Sequence, residues 1–180
     1  MKLTTLAMLT MLVCISASLT VNDTFAQEDA ALPQVDQFSF LVGDWNCTGQ
    51  VFAHGASLAH ATTARVHGEK AAGGHWVLFR YDEDKTAVNP RPFHIDQYFG
   101  YDSAVKKIVS VAVDVGGYFS ETSPGWGGNT ITFDEIADDR IIGHDTFARN
   151  GQNEISHSGE DKNKEGEWIK TDEETCHRVQ

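Results

Sequence analysis

The 180-residue chain carries 26 acidic against 14 basic residues, and its formal net charge of −12 does not suit a nucleic-acid partner, which is gripped through Lys and Arg. Hydrophobic residues make up 41% of it with only 4 prolines, enough for one packed domain and too much for a disordered chain. No 18-residue apolar run follows the first 20 positions, which argues against a membrane-embedded helical body.

Residues 1–26 read as a cleaved secretory signal. Met1-Lys2 is a short positive end, residues 3–19 are apolar but diluted by Thr and Ser, and Thr24-Phe25-Ala26 places small residues before Gln27. No basic stop-transfer flank follows, so no membrane insertion is expected after cleavage, and a periplasmic or secreted location is. Residues 27–37 are read as a linker and 38–180 as one domain. Lys2 and Asp23 leave together, so the acidity belongs to the domain.

Residues 33–41, with Val35, Phe38 and Leu41, form the only helical piece expected. Beyond them the apolar period is two. Val77, Phe79 and Tyr81 alternate with Trp76, Leu78 and Arg80; Phe93, Ile95, Gln97, Phe99 and Tyr101 alternate with His94, Asp96, Tyr98 and Gly100. Residues 108–115, 129–133, 141–148 and 168–175 are enriched in β-branched and aromatic types, and Gly, Asn, Asp and Pro clusters punctuate them. About ten strands result. The stretch 82–92, holding Pro90 and Pro92, is a candidate mouth loop, and the acidic stretch 154–174 reads as a solvated strand face.

An all-β chain of consecutive hairpins folds as a barrel or a sandwich, and the cysteines choose. In an exported chain Cys47 and Cys176, 129 positions apart, are read as a disulfide. They lie in the first and last strands, which are antiparallel neighbours in a closed up-and-down antiparallel β-barrel with an even strand count. Facing each other, they set a register that puts Trp45 opposite Arg178, a guanidinium beside an indole.

Gly43-Asp44-Trp45 entering the first strand, with Arg178 on the last, resembles the lipocalin and wider calycin signature. The run Phe40-Leu41-Val42-Gly43-Asp44-Trp45-Asn46-Cys47, with Ser123-Pro124-Gly125-Trp126 and Asp172-Glu173-Glu174-Thr175-Cys176, resembles a bacterial secreted lipocalin-like family, domain of unknown function 1579. The likeness spans roughly residues 38–178 and implies a calycin-type barrel with an internal cavity. It implies structural roles for Gly43, Trp45 and Arg178 and brings no reaction or ligand with it.

Polar residues on otherwise apolar strands mark candidate pocket positions, because each buried without a partner costs about 1–3 kcal/mol. Arg80 shares a face with Trp76; Asp96 and Tyr98 share the next; Asp114 ends the run Ile108, Ser110, Ala112. These can converge as an inward cluster, or the even-numbered face is the solvated one. Trp126, on a Gly-rich turn, is a candidate cap. Eight histidines raise metal and haem, but no His-x-His or Cys-x-x-Cys occurs, so no metal site is expected. His157, in phase with Ile155, is the first candidate for a haem ligand, followed by His144. The leading expectation is an exported barrel binding a small hydrophobic or aromatic molecule, without a cofactor. The alternatives are an acid–base lyase or isomerase built from Asp96, Tyr98, Asp114 and His157, and a haem-binding barrel.

Overall fold

A computed structural model describes residues 33–180 apart from Ala56 and Asp139; the signal segment expected at 1–26 lies outside the described residues. Ten strands run β1 (Gly43–Val51), β2 (His60–Ala71), β3 (Trp76–Glu83), β4 (His94–Asp102), β5 (Lys107–Asp114), β6 (Gly117–Ser123), β7 (Thr130–Ala137), β8 (Arg140–Arg149), β9 (Glu154–Lys162) and β10 (Trp168–Arg178). Each pairs antiparallel with its sequence neighbours and β10 closes on β1, so the sheet is the closed ten-strand up-and-down barrel expected from the sequence. No helix among the described residues is long and apolar enough to cross a membrane.

Period-two patterning is what makes these segments strands. In β2, Thr62, Ala64, Val66 and Gly68 are buried while Ala61, Thr63, Arg65 and His67 are exposed. Odd residues point inward from β1, β3, β4 and β6 to β9, and even residues from β2 and β5, following the buried positions Trp45, Phe79, Phe99, Glu121, Phe133, Phe147, Ile155, Val66 and Ser110.

The closing seam has the register deduced above. Cys47 lies opposite Cys176, to which it is bonded, and Trp45 lies opposite Arg178. The Arg178 guanidinium covers the Trp45 ring at 4.1 Å from the centroid. It also donates from Nη1 to the Val42 carbonyl at 2.7 Å and from Nη2 to the Phe40 carbonyl. Trp45 Nε1 donates to the Leu41 carbonyl at 2.9 Å. One Trp–Arg pair thus satisfies three carbonyls of the entering chain, which would otherwise be costly to cover. Gly43 has φ +122°, and a Cβ there would lie 2.6 Å from Arg178 Nη1, so the motif glycine serves both the turn and the clamp.

One end of the barrel is plugged. The helical turn α1 (Pro33–Asp36) and a 3₁₀ turn (Ser39–Leu41) place Val35, Phe38 and Leu41 in the core, with Val35, inside the expected linker, 1% exposed. Phe38 stacks on Phe99 with centroids 5.1 Å apart, and Trp126 closes over Phe38 and Phe40 at 6.0 and 5.5 Å. The 82–92 loop lies at the opposite end, held by Glu83, which accepts from the Phe93 amide (2.7 Å) and Asn89 Nδ2 (2.8 Å) and faces His60 Nε2 (3.1 Å). Bulges interrupt β7 between Glu135 and Ile136 and β10 between Lys170 and Asp172. The β6–β7 ladder is short, pairing only Glu121 with Glu135 and Thr122 with Asp134.

Candidate functional site

Away from the plug, the inward face becomes polar. His157 on β9 is held at both ring nitrogens: Nε2 faces Asp145 on β8 at 3.2 Å and Nδ1 faces Asp172 on β10 at 3.0 Å. Burial works against the charged imidazole, but the two carboxylates outweigh it and raise its pKa well above 6.5, so both nitrogens carry protons at neutral pH and both donate. Asp172 shows the reciprocal effect: burial is opposed by the His157 hydrogen bond and charge, which hold its carboxyl below the ordinary range. The β10 bulge makes this contact, because it turns the adjacent Thr171 and Asp172 toward the inner face, where Thr171 Oγ1 donates to Asp172 Oδ1 at 2.9 Å.

One step along β10, Glu174 Oε1 accepts from Thr62 Oγ1 (2.7 Å) and Tyr81 Oη (2.6 Å). Burial, and then the charge of Glu174, push the Tyr81 phenol far above its usual range, so it remains a donor. Burial also raises Glu174, against the two hydroxyls that favour its charge. Across the barrel, Gln97 Nε2 donates to Ser110 Oγ at 2.9 Å. Beside Ser110, Glu121 is 3% exposed and its Oε2 has no hydrogen-bond partner. Burial, reinforced by the charge of Asp145, pushes its carboxyl up to about 9, so it is protonated at neutral pH. Although they point inward, His157 and Asp145 are each 22% exposed and Asp172 28%, so solvent reaches them.

The arrangement can hold a polar group against several carboxyl groups, above Phe133 and Phe147, which are buried in the core with their rings 6.2 Å apart. It can also move a proton, since a neutral carboxyl, a charged imidazole and ionisable carboxylates share one chamber. The same geometry does not fit haem. Neither His157 nitrogen is free for iron, and His144, the second candidate, is on the even, outward face of β8, paired with Asp134 at 2.9 Å and stacked on Trp168 at 4.0 Å. Among the described residues no three His, Cys, Asp or Glu side chains are grouped as metal ligands.

Of the residues singled out from sequence, His157 is the one in this chamber. The inward cluster expected of Arg80, Asp96, Tyr98 and Asp114 is corrected by strand phase. Val77, Phe79, Gln97 and Phe99 take the inner face of β3 and β4, which sends Trp76, Arg80, Asp96 and Tyr98 outward. Arg80 and Asp96, 43% and 37% exposed, pair across the outer surface at 3.0 Å. Asp114 spends its carboxylate on the β5–β6 turn, accepting from the Gly116 and Gly117 amides. Arg80, Asp96 and Asp114 do meet, in an outer depression of about 210 Å³ beside Val113 and Val115, from which Trp76 and Tyr98 are absent. Trp126 sits at the plugged end. The solvated reading of 154–174 is likewise corrected at Asp172 and Glu174, which face inward. Asp145, Asp172, Glu174, Glu121 and Tyr81 escaped notice, yet a signal existed: with Cys176 bridged inside the barrel, Glu174 shares its phase.

No family model matches the chain, so the likeness to domain of unknown function 1579 rests on the quoted motifs alone. None of the curated proteins matches it either. Among solved structures it is similar to Rv2717c from M. tuberculosis, with TM-score 0.60 and 13% identity over 84% of this chain and all of that one. This likeness bears on the fold alone, the closed ten-strand barrel, which fits a calycin-like architecture. A protein of unknown function from Nostoc punctiforme, of the DUF3598 family, covers 82% of the chain at 10% identity, but its TM-score of 0.26 carries no argument.

Proposed function

We propose that the chain is an exported barrel that binds one small organic molecule in its unplugged half. The observation that carries this is the pairing of inward direction with solvent access at Asp145, His157 and Asp172, above a floor closed by Phe38, Phe99 and Trp126. Side chains that only filled space there would be apolar, because a polar group without a purpose or partner costs stability. The ligand class differs from a wholly apolar one: Asp145, His157 and Asp172, the inward groups that solvent reaches, call for a polar group on the ligand. Export is supported by the 1–26 segment and by the Cys47–Cys176 bridge, which suits an oxidising compartment. Native mass spectrometry of the mature protein, purified from its own compartment, tests the reading. A single small molecule released on denaturation is the expected result, and a mass equal to the bare chain in every preparation would overturn it.

A second reading, an acid–base lyase or isomerase using the same chamber, is favoured by one observation. Glu121 is held neutral and His157 charged beside the same Asp145, so two proton donors flank one carboxyl group. It predicts that His157→Gln abolishes turnover of the released molecule while the barrel still retains it.

A further inference from the structure

The seam between β6 and β7 has the shortest ladder in the barrel. β5 and β6 pair along their length, from Ile108 with Ser123 to Asp114 with Gly117, whereas β6 meets β7 only at Glu121–Glu135 and Thr122–Asp134. Two causes lie in the residues themselves. The first of these pairs sets two carboxyl groups face to face, where apolar or oppositely charged partners would hold strands together. The bulge after Glu135 then bends β7 away, so Ile136 and Ala137 pair with β8 alone. Gly117, Tyr118, Phe119 and Ser120 are therefore strand residues with β5 on one side and no ladder partner on the other among the described residues.

A strand edge of this kind presents unpaired N–H and C=O groups to any extended chain that comes beside it. Proteins blunt such edges with Lys, with Pro or with a bulge in the edge strand, and Gly117-Tyr118-Phe119-Ser120 carries none of these. The edge is also reachable: Gly117, Tyr118 and Ser120 are exposed, Tyr118 to 79%. Its outer flank is apolar, because Tyr118 lies opposite the exposed Val113 on β5, with Val115 in the adjoining turn. A segment added here would gain main-chain hydrogen bonds from the edge and side-chain contact with Tyr118 and Val113.

Charge selects the partner. Between Lys107 and Arg140 the chain holds six Asp or Glu residues and no Lys, Arg or His. A second copy joined edge to edge would bring this acidic stretch against itself, and like charges so placed oppose association. We propose that the Gly117–Ser120 edge is a docking site for an extended basic segment of another protein, one that alternates aliphatic residues with Lys or Arg and adds as a strand beside β6. The backbone edge supplies the attachment, while the half-buried Glu135 and the exposed Asp138 on the facing bank supply the preference for positive charge. This surface is independent of the inner chamber and of what the barrel carries.

Amide hydrogen exchange on the mature, disulfide-bonded protein, read by NMR in dilute solution, tests the proposal. The probe is a short, acetylated and amidated peptide of alternating Lys and Val; its Glu–Val counterpart and its fully N-methylated form are the controls. Exchange of the Gly117–Ser120 amides on the free side is expected to slow roughly tenfold or more with the basic peptide, with the β1–β10 seam unchanged. The acidic peptide should bind roughly tenfold more weakly or worse, and the N-methylated form, without strand donors, should give no protection. Tyr118→Lys adds a like charge at an exposed position and should weaken the basic peptide by about tenfold, while Tyr118→Phe should retain it. Unchanged thermal unfolding of both variants shows the barrel intact. Equal binding of basic and acidic peptides would overturn the partner, and free-side amides already protected without peptide would overturn the open edge. Protection that grows with protein concentration, together with a doubled sedimenting mass, would replace the basic segment with a second copy. No slowing of these amides by any peptide would defeat the site altogether.

Discussion

The interior around Phe99 and the interior around Asp145 are built on the same ten strands by the same alternation, and they differ only in what the inward positions carry. Near the plug these are Phe79, Phe99, Phe133 and Phe147, whose rings sit 5.5–6.4 Å apart in tilted and edge-on contacts. Toward the other end the same strands present Tyr81, Gln97, Asp145 and Glu135. Ring packing gains from every atom excluded from water, whereas a carboxyl placed inward loses solvation that only partners restore. Apolar packing and buried polarity are thus assigned to opposite ends of one continuous sheet. Changes at the apolar end should move the whole stability curve, and changes at the polar end should alter its dependence on pH.

Four substitutions probe that division. Replacing both Cys47 and Cys176 by Ser should lower stability by about 4–5 kcal/mol, since the bridge closes a 129-residue separation. Thermal unfolding with and without reductant reads this, and a loss under about 1 kcal/mol would remove the bridge from the list of supports. Phe99→Ala opens a cavity beside four aromatic rings and should cost about 3–5 kcal/mol at every pH, measured as the urea midpoint. A pH-dependent loss would show that the two ends are not separable.

His157→Gln should cost less, about 1–3 kcal/mol at pH 6, where it leaves two carboxylates without their shared donor. Because the folded His157 titrates above 6.5, its contribution is complete below that value and fades as the pH rises through its folded pKa. The variant should lack that decline. The smallest change at mildly acid pH is expected of Glu121→Gln. Glu121 is neutral in the folded barrel up to about 9 but titrates near 4.5 when unfolded, so the wild type loses stability as the pH climbs between those values. The variant should match the wild type at pH 5 and exceed it at pH 8, and a parallel curve would show that Glu121 is ionised in the folded state.

Much of the barrel was legible in the sequence because its strongest constraints are local or covalent. Period two gave the strands, Gly43 and Trp45 gave the entry to the first, and the cysteine pair gave the register of the closing seam down to Trp45 and Arg178. The chamber was harder to read. Arg80, Asp96 and Tyr98 draw attention as polar residues beside Trp76, yet the inner face of those strands belongs to Val77, Phe79, Gln97 and Phe99, and alternation alone does not say which phase is inside. Asp172 was obscured by the bulge after Lys170, a ladder irregularity that depends on how β9 pairs with it. Glu121 shows nothing in its own neighbourhood of residues 117–123; its character comes from Ser110, Glu135 and Asp145, brought beside it by three different strands.

The plug of Phe38 and Trp126 also bears on traffic. A tube open at both ends allows one molecule to push another through, but a vessel with a single entrance obliges the occupant to leave before a successor arrives. Exchange should then proceed at the departure rate of the first molecule, and raising the concentration of a competitor should not hasten it. A carrier built on this plan would store and hand over its cargo without conducting it.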